Sequence, residues 1–313
     1  MGGVFHGFAI ITLVIAVGML LAQLGILDAR TQEVLSKLTF YVGSPALLIG
    51  VLGSADVRTL FSTNLIASVS GVVVTATAQV LLARLVFRRA AGDIAIGAFC
   101  SSYVNAGNLG LPIAAYAIGD VSAIAPMLLV QLLILQPAGL AVLDVVTARA
   151  QRRMSRAEIV RAALLRPVRN PMTIGSALGV VLSVTGWRLP SVLGDSVQMV
   201  GGLAVPCMLI AYGVSLRTGP LPGRGEDPAY LGVLVGLKLL VQPVVAWAVG
   251  AFALGLSGQP LLAVAVIAAL PTAQNVFVFA VRYRTATVLA RDAIFLSTIL
   301  SVPAILLISA LLS

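Results

Sequence analysis

Two long apolar stretches of this chain are broken near their middles by polar residues, glycine and proline. The first break reads Ser101-Ser102-Tyr103-Val104-Asn105-Ala106-Gly107-Asn108-Leu109-Gly110-Leu111-Pro112, and the second reads Pro271-Thr272-Ala273-Gln274-Asn275. A proline removes a backbone donor and its ring clashes with the preceding turn, while glycine weakens a helix further. In hydrocarbon such a break survives only where it is buried in protein or lines a wet cavity, because lipid offers no hydrogen-bond partner. Pro112 and Pro271 are 159 residues apart in a chain of 313, so each half carries one break.

The surrounding chain is a membrane sequence. It is 59% hydrophobic and 10% charged, against about 25% charged in an ordinary soluble domain. Apolar runs of membrane-spanning length lie at about 4–25, 35–53, 60–86, 94–118, 122–145, 171–187, 192–215, 229–256, 260–281 and 289–312. The sixth run is the shortest and carries several Gly and Ser residues. Val4–Leu24 lacks a basic leader and a small-residue cleavage site, so it reads as a retained first span.

Ten spans sort the basic residues sharply. Seventeen of the 20 Lys and Arg residues fall on one side, from Arg30 and Lys37 to Arg282, Arg284 and Arg291. Only Arg58 and Arg188 fall on the other, and Lys238 lies inside a span. Excess positive charge marks cytoplasmic connections, so both termini are expected outside a bacterial-type inner membrane. The net charge of +9 has the same explanation, and nothing else points to nucleic acid. Cys100 and Cys207 sit within apolar runs without metal-ligand spacing and read as packing residues.

The halves resemble each other in order. Residues 43–49 match 204–210, Gln79 matches Gln242, Pro112 matches Pro271, and Gln131–Ala138 matches Ser297–Ala304, at offsets between 159 and 166. Five spans per unit is an odd number, so the second unit enters the membrane inverted relative to the first. The expected fold is all-α, with ten transmembrane helices in two inverted five-helix repeats and broken, crossing helices four and nine. The first repeat occupies 1–145 and the second 171–313. Between them, 146–170 forms a basic cytoplasmic connection in which Ser155 and Glu158 suggest a capped interfacial helix. A solvated linker is the alternative there.

A helix broken in mid-membrane exposes N–H groups on one half and carbonyls on the other. The N-terminal end of a half-helix carries partial positive charge and attracts anions. Asn105, Asn108, Gln274 and Asn275 place neutral donors and acceptors at the breaks, with Ser102 and Thr272 beside them. These amides can hold a carboxylate or cap the broken backbone, and the two roles are compatible. Lys238 lies roughly 13 Å inside the eighth span at 1.5 Å per residue, where a charge costs at least about 2.5 kcal/mol. Gln242, four residues on, shares its face. Lys238 reads as an anchor or guide for an anion, as a snorkelling side chain, or as a tether to broken-helix carbonyls.

No Asp or Glu lies at mid-membrane; Asp93, Asp144 and Asp292 stand near cytoplasmic ends. A carboxylate proton relay through the core is therefore not expected, and His6 reads as interfacial. No cofactor or metal motif is present, while coupling to Na+ or H+ stays open. Pro45, Pro206, Pro137 and Pro303 have apolar flanks and read as kinks that shape helix interfaces.

These residues resemble the auxin efflux carrier family in its compact bacterial form. The resemblance rests on Asn105-Ala-Gly-Asn108-Leu-Gly-Leu-Pro112-Ile113, on Ala269-Leu270-Pro271-Thr272-Ala273-Gln274-Asn275 followed by Arg282-Tyr283, and on the Gly213–Leu216 and Lys238–Pro243 segments. It covers essentially the whole chain. It implies a bile-acid-sodium-symporter-like fold in which the first, second, sixth and seventh helices form a scaffold and homodimer platform. The third to fifth and eighth to tenth helices would form a moving transport domain. It also implies an organic anion as cargo, with Asn105, Asn108, Pro112 and the Pro271 segment at the site. The expected function is a secondary transporter or efflux carrier of a small organic carboxylate, working by elevator-type alternating access. A channel-like facilitator and a non-transporting sensor are the rivals. An enzyme is disfavoured by the lack of a Ser-His pair, a carboxylate dyad or a metal cluster.

Overall fold

The computed structural model describes residues 2–55, 63–110, 113–114, 118, 121–151 and 169–312. Among these residues the regular structure is helical: α1 (Gly2–Gln23), α2 (Ala29–Gly53), α3 (Thr63–Leu85), α4 (Ala91–Ser102), α5 (Ala125–Ala148), α6 (Pro171–Thr185), α7 (Ser191–Thr218), α8 (Pro228–Ala253), α9 (Gly258–Ala268), α10 (Asn275–Tyr283) and α11 (Thr287–Leu312). Extended pairing is limited to one isolated antiparallel bridge, Val104 to Thr272. Six helices (α2, α3, α5, α7, α8 and α11) are long and apolar enough to cross a membrane on those grounds alone. Each of the ten apolar runs contains described helix. The fourth breaks after Ser102, and the ninth breaks between Ala268 and Asn275.

Helix starts follow caps rather than the edges of apolar runs. The second helix begins at Ala29, not near residue 35, because Asp28 accepts from the Thr31 N–H at 2.7 Å. That bond holds the Asp28 carboxyl below the usual carboxylate range. Its first turns carry Arg30, Glu33 and Lys37, with Glu33 and Lys37 paired at 2.9 Å, so a hydropathy criterion passes over them. The short sixth helix is set by the Asn170 side chain at its N-terminus, Pro171 in its first turn and left-handed Gly186 (φ 67°) at its end. The interfacial helix expected around Ser155–Leu164 lies outside the described residues, as do Arg58 and Pro112.

Three of the spanning prolines share one local device. π-turns at Thr39–Gly43, Gln131–Leu135 and Leu237–Val241 end two residues before Pro45, Pro137 and Pro243. In each, the residue preceding the proline bonds five residues back: Ser44 to Thr39, Gln136 to Gln131 and Gln242 to Leu237. The wider turn accommodates a residue that cannot donate and whose ring crowds the preceding turn.

Small residues set the helix packing. Helix α1 runs along α7, and α6 along α2. A side chain at Gly18 would collide with the Ile210 backbone, and one at Gly213 with that of Ile15. At the α6–α2 contact, a side chain at Gly175 would meet the Pro45 backbone at 2.7 Å. A second group gathers α3, α4, α8 and α9, with α5, α10 and α11 packed against α4. Arg291, expected with the basic residues of one membrane face, is instead buried at the start of α11. It bonds Asp292 at 2.6 Å and donates to the Ser215 carbonyl of α7 at 3.3 Å. Its guanidinium faces the C-terminal turns of α7, where partial negative charge favours it.

Candidate functional site: a crossing lined by amides

The two breaks meet. After Ser102 the chain turns extended at Tyr103. The Asn105 N–H donates to the Pro271 carbonyl at 2.8 Å and the Ala273 N–H to the Tyr103 carbonyl at 3.2 Å. Backbone groups freed by one break are thus satisfied by the other. Side chains complete the pairing in parallel: the Val104 N–H donates to Gln131 Oε1 at 2.8 Å, and the Thr272 N–H donates to Ser297 Oγ at 3.1 Å. The backbone partner of Pro271–Ala273 is Tyr103–Asn105.

The amides cluster around Gln274. Its Oε1 accepts from Asn105 Nδ2 at 2.5 Å and from Asn108 Nδ2 at 3.3 Å, and Asn105 Oδ1 accepts from the Asn108 N–H at 3.3 Å. Asn275 Nδ2 donates to Gln136 Oε1 at 3.5 Å, which also accepts from the Tyr103 hydroxyl at 3.1 Å. Gln274 Nε2 and Asn275 Oδ1, one donor and one acceptor, are buried without a partner. Buried polar atoms are ordinarily paired, and these two stand in one cluster without a partner.

Beside the cluster lies a cavity of about 320 Å3. Its amides are Asn105, Asn108, Gln131, Gln136, Gln274 and Asn275, from the breaks and α5. Its opposite wall is chiefly apolar: Leu47, Leu48 and Val51 of α2, Met172 of α6, and Val205 and Met208 of α7. No charged side chain lines it among the described residues. A larger, open hollow of about 1270 Å3 lies between α2, α6 and α7 around Trp187, Arg188 and Asp195. It shares Leu47 and Val51 with the cavity at the crossing but touches neither break.

The expected site residues therefore divide. Asn105, Asn108, Gln274 and Asn275 come together at the cavity, whereas Ser102, Pro271, Thr272, Lys238 and Gln242 brace the crossing and do not line it. Thr272 Oγ1 donates to the Cys100 carbonyl at 2.5 Å. Lys238 is fully buried, and its Nζ donates to Gln242 Oε1 at 2.7 Å and to the Ala268 carbonyl at 2.9 Å. Of the three readings of Lys238, the tether matches this geometry. Gln131, Gln136 and Tyr103 were not anticipated at the site. The signal for the glutamines was present, as two amides inside the apolar fifth run.

The chain matches, over residues 4–309, a family profile described as membrane transport protein, that of the auxin efflux carriers. It belongs to that family. The transporter is 27% identical over 292 residues, 92% of its length and 89% of the relative's, to a protein of Rhizobium meliloti (strain 1021) named as a malonate transporter. Over 153 residues, 47% of its length and 41% of the relative's, it is 33% identical to a protein of Oryza sativa subsp. japonica named as auxin efflux carrier component 5b. A protein of Methanothermobacter thermautotrophicus named as an uncharacterized transporter is 26% identical over 297 residues, 93% of this chain and 92% of that one. The transporter is an integral, multi-pass membrane protein and not an enzyme.

Proposed function

We propose that this transporter carries a small organic carboxylate anion across the membrane by elevator-type alternating access, as a secondary carrier. One observation carries the reading: every amide of the cavity comes from the breaks or α5, while the facing apolar wall comes from α2, α6 and α7. A cargo held by the amides moves with the crossing, and the wall offers it little that a sliding motion would have to break. The carboxylate accepts hydrogen bonds from neutral amide donors, and α10 turns its N-terminal end toward the same cluster, where partial positive charge favours an anion. The name of the Rhizobium relative supports a carboxylate.

The domain assignment follows the same division. Helices α1, α2, α6 and α7 are the scaffold, and α3–α5 with α8–α11 are the transport domain. Two inverted five-helix repeats are supported by paired contacts. The α1–α7 packing has its counterpart in α6–α2, and the Val104–Gln131 bond has its counterpart in Thr272–Ser297. We place both termini outside a bacterial-type inner membrane on the charge asymmetry, and we assign a homodimer through the scaffold. Tag accessibility in oriented vesicles and light scattering of the purified protein test these two points.

Counterflow in proteoliposomes tests the function. Vesicles preloaded with an accepted carboxylate, drawn from a panel of mono- and dicarboxylates including malonate, should take up the labelled compound faster than empty ones, and uptake should saturate. Ohmic anion current without counterflow would instead establish the channel-like facilitator. Imposed Na+ and pH gradients identify the coupling ion in the same vesicles.

A further inference from the structure

One lysine side chain stands between the C-terminal ends of both broken helices. Lys238 Nζ bonds the carbonyl of Ala268, the last residue of α9, directly. Through Gln242, whose Nε2 donates at 3.0 Å, it reaches the carbonyl of Ser102, the last residue of α4. Those two carbonyls are three residues upstream of Pro271 and Asn105, the pair whose backbone bond forms the crossing. A helix C-terminus carries roughly half an elementary negative charge, so two such ends are matched by about one positive charge. No carboxylate pairs with Lys238 among the described residues. A lysine buried in mid-membrane without an acid partner calls for a reason, and the converging carbonyls supply it.

We propose that Lys238, acting with Gln242, is a positioning residue for transport. It locks the two breaks in one geometry and cancels the negative potential of both helix ends. The amide cluster on the far side of the crossing is thereby left attractive to an anion. Lys238 does not line the cavity, so this role runs through Ser102 and Ala268 and not through contact with cargo. The electrostatic half of the proposal rests on the carboxylate reading above; the mechanical half does not.

Amide hydrogen exchange and malonate uptake, measured on wild type, Lys238→Met, Lys238→Arg and Gln242→Leu, test it. Lys238→Met should speed exchange at least tenfold at both Val104–Asn105 and Thr272–Ala273, leaving α1, α2, α6 and α7 protected. Gln242→Leu should speed exchange at Val104 and Asn105, and at Ala273 whose acceptor is the Tyr103 carbonyl, while Thr272, bonded to Ser297 beside the still-held Ala268, stays protected; it serves if Lys238→Met does not fold. Lys238→Arg should restore most of the protection. The malonate concentration for half-maximal uptake should rise at least tenfold in Lys238→Met and recover in Lys238→Arg, with a smaller change in the saturating rate. If wild type accepts no carboxylate, the functional reading falls, and exchange alone decides the tether. Unchanged protection at both segments, or equal acceleration throughout the protein, overturns the proposal.

Discussion

Asn105 and Gln274 lie 169 residues apart in sequence, and their side chains meet at 2.5 Å where the two broken helices cross. Each side chain belongs to a different half of the chain, so neither half alone holds the amide cluster. Gln274 spends its oxygen on two asparagine amides, and its own amide group is left buried and unpaired.

Replacing Gln274 with Glu keeps an oxygen acceptor for Asn105 and Asn108 while adding a negative charge beside the cavity. The protein should still fold but melt at a lower temperature, because Gln274 is fully buried and a carboxylate there loses its hydration. Stabilisation by a carboxylate ligand, which reports binding to the native state, should disappear. Gln274→Leu, which adds no charge, should retain more binding than Gln274→Glu, and a thermal-shift titration with the accepted carboxylate separates the two.

The buried Arg291–Asp292 pair is the second target. Asp292→Asn leaves a buried guanidinium without its counter-charge, and breaking a buried pair typically costs about 3–5 kcal/mol. Asp292 Oδ2 also accepts from the Gly223 N–H at 2.8 Å, so the connection to α8 should loosen as well. The double variant Arg291→Met with Asp292→Asn should be more stable than Asp292→Asn alone. Heating followed by size-exclusion chromatography reads the order.

Gly18 and Gly175 mark the two helix contacts of the proposed scaffold. Valine at either position meets backbone, of Ile210 in one case and Pro45 in the other, and backbone cannot rotate away. Overpacking of this kind costs about 1–3 kcal/mol or more. Each substitution should lower the melting temperature, whereas Gly202→Ala, with open space around it, should not. Parallel melts of the three variants check this.

The breaks themselves were legible because proline and glycine act on backbone hydrogen bonding wherever they stand, and a lipid environment allows few ways to compensate. The amides at 105, 108, 274 and 275 were legible for the same reason, being polar groups in runs with no other use for them. The backbone pairing at the crossing is less legible, because it runs through extended Tyr103–Asn105, a conformation that no residue type there announces. Lys238 announced itself as a charge out of place, yet its partners are carbonyls 30 residues away and, through Gln242, 140 residues from that glutamine. Main-chain acceptors leave no trace in side-chain identity. Gln131 and Gln136 are less legible, because Pro137 beside them makes the fifth run read as a kinked packing helix.

The central claim is that the amide cluster at the crossing holds a carboxylate, and equilibrium binding to Asn105→Ala and Asn108→Ala tests it most directly. Both variants keep Gln274 bonded to the remaining asparagine, so both should purify as folded protein with wild-type helix content. Titrated with the carboxylate that stabilises wild type, they should show no saturable binding over the concentration range in which wild type saturates. Wild-type affinity in both variants would contradict the account and place the cargo elsewhere in the molecule.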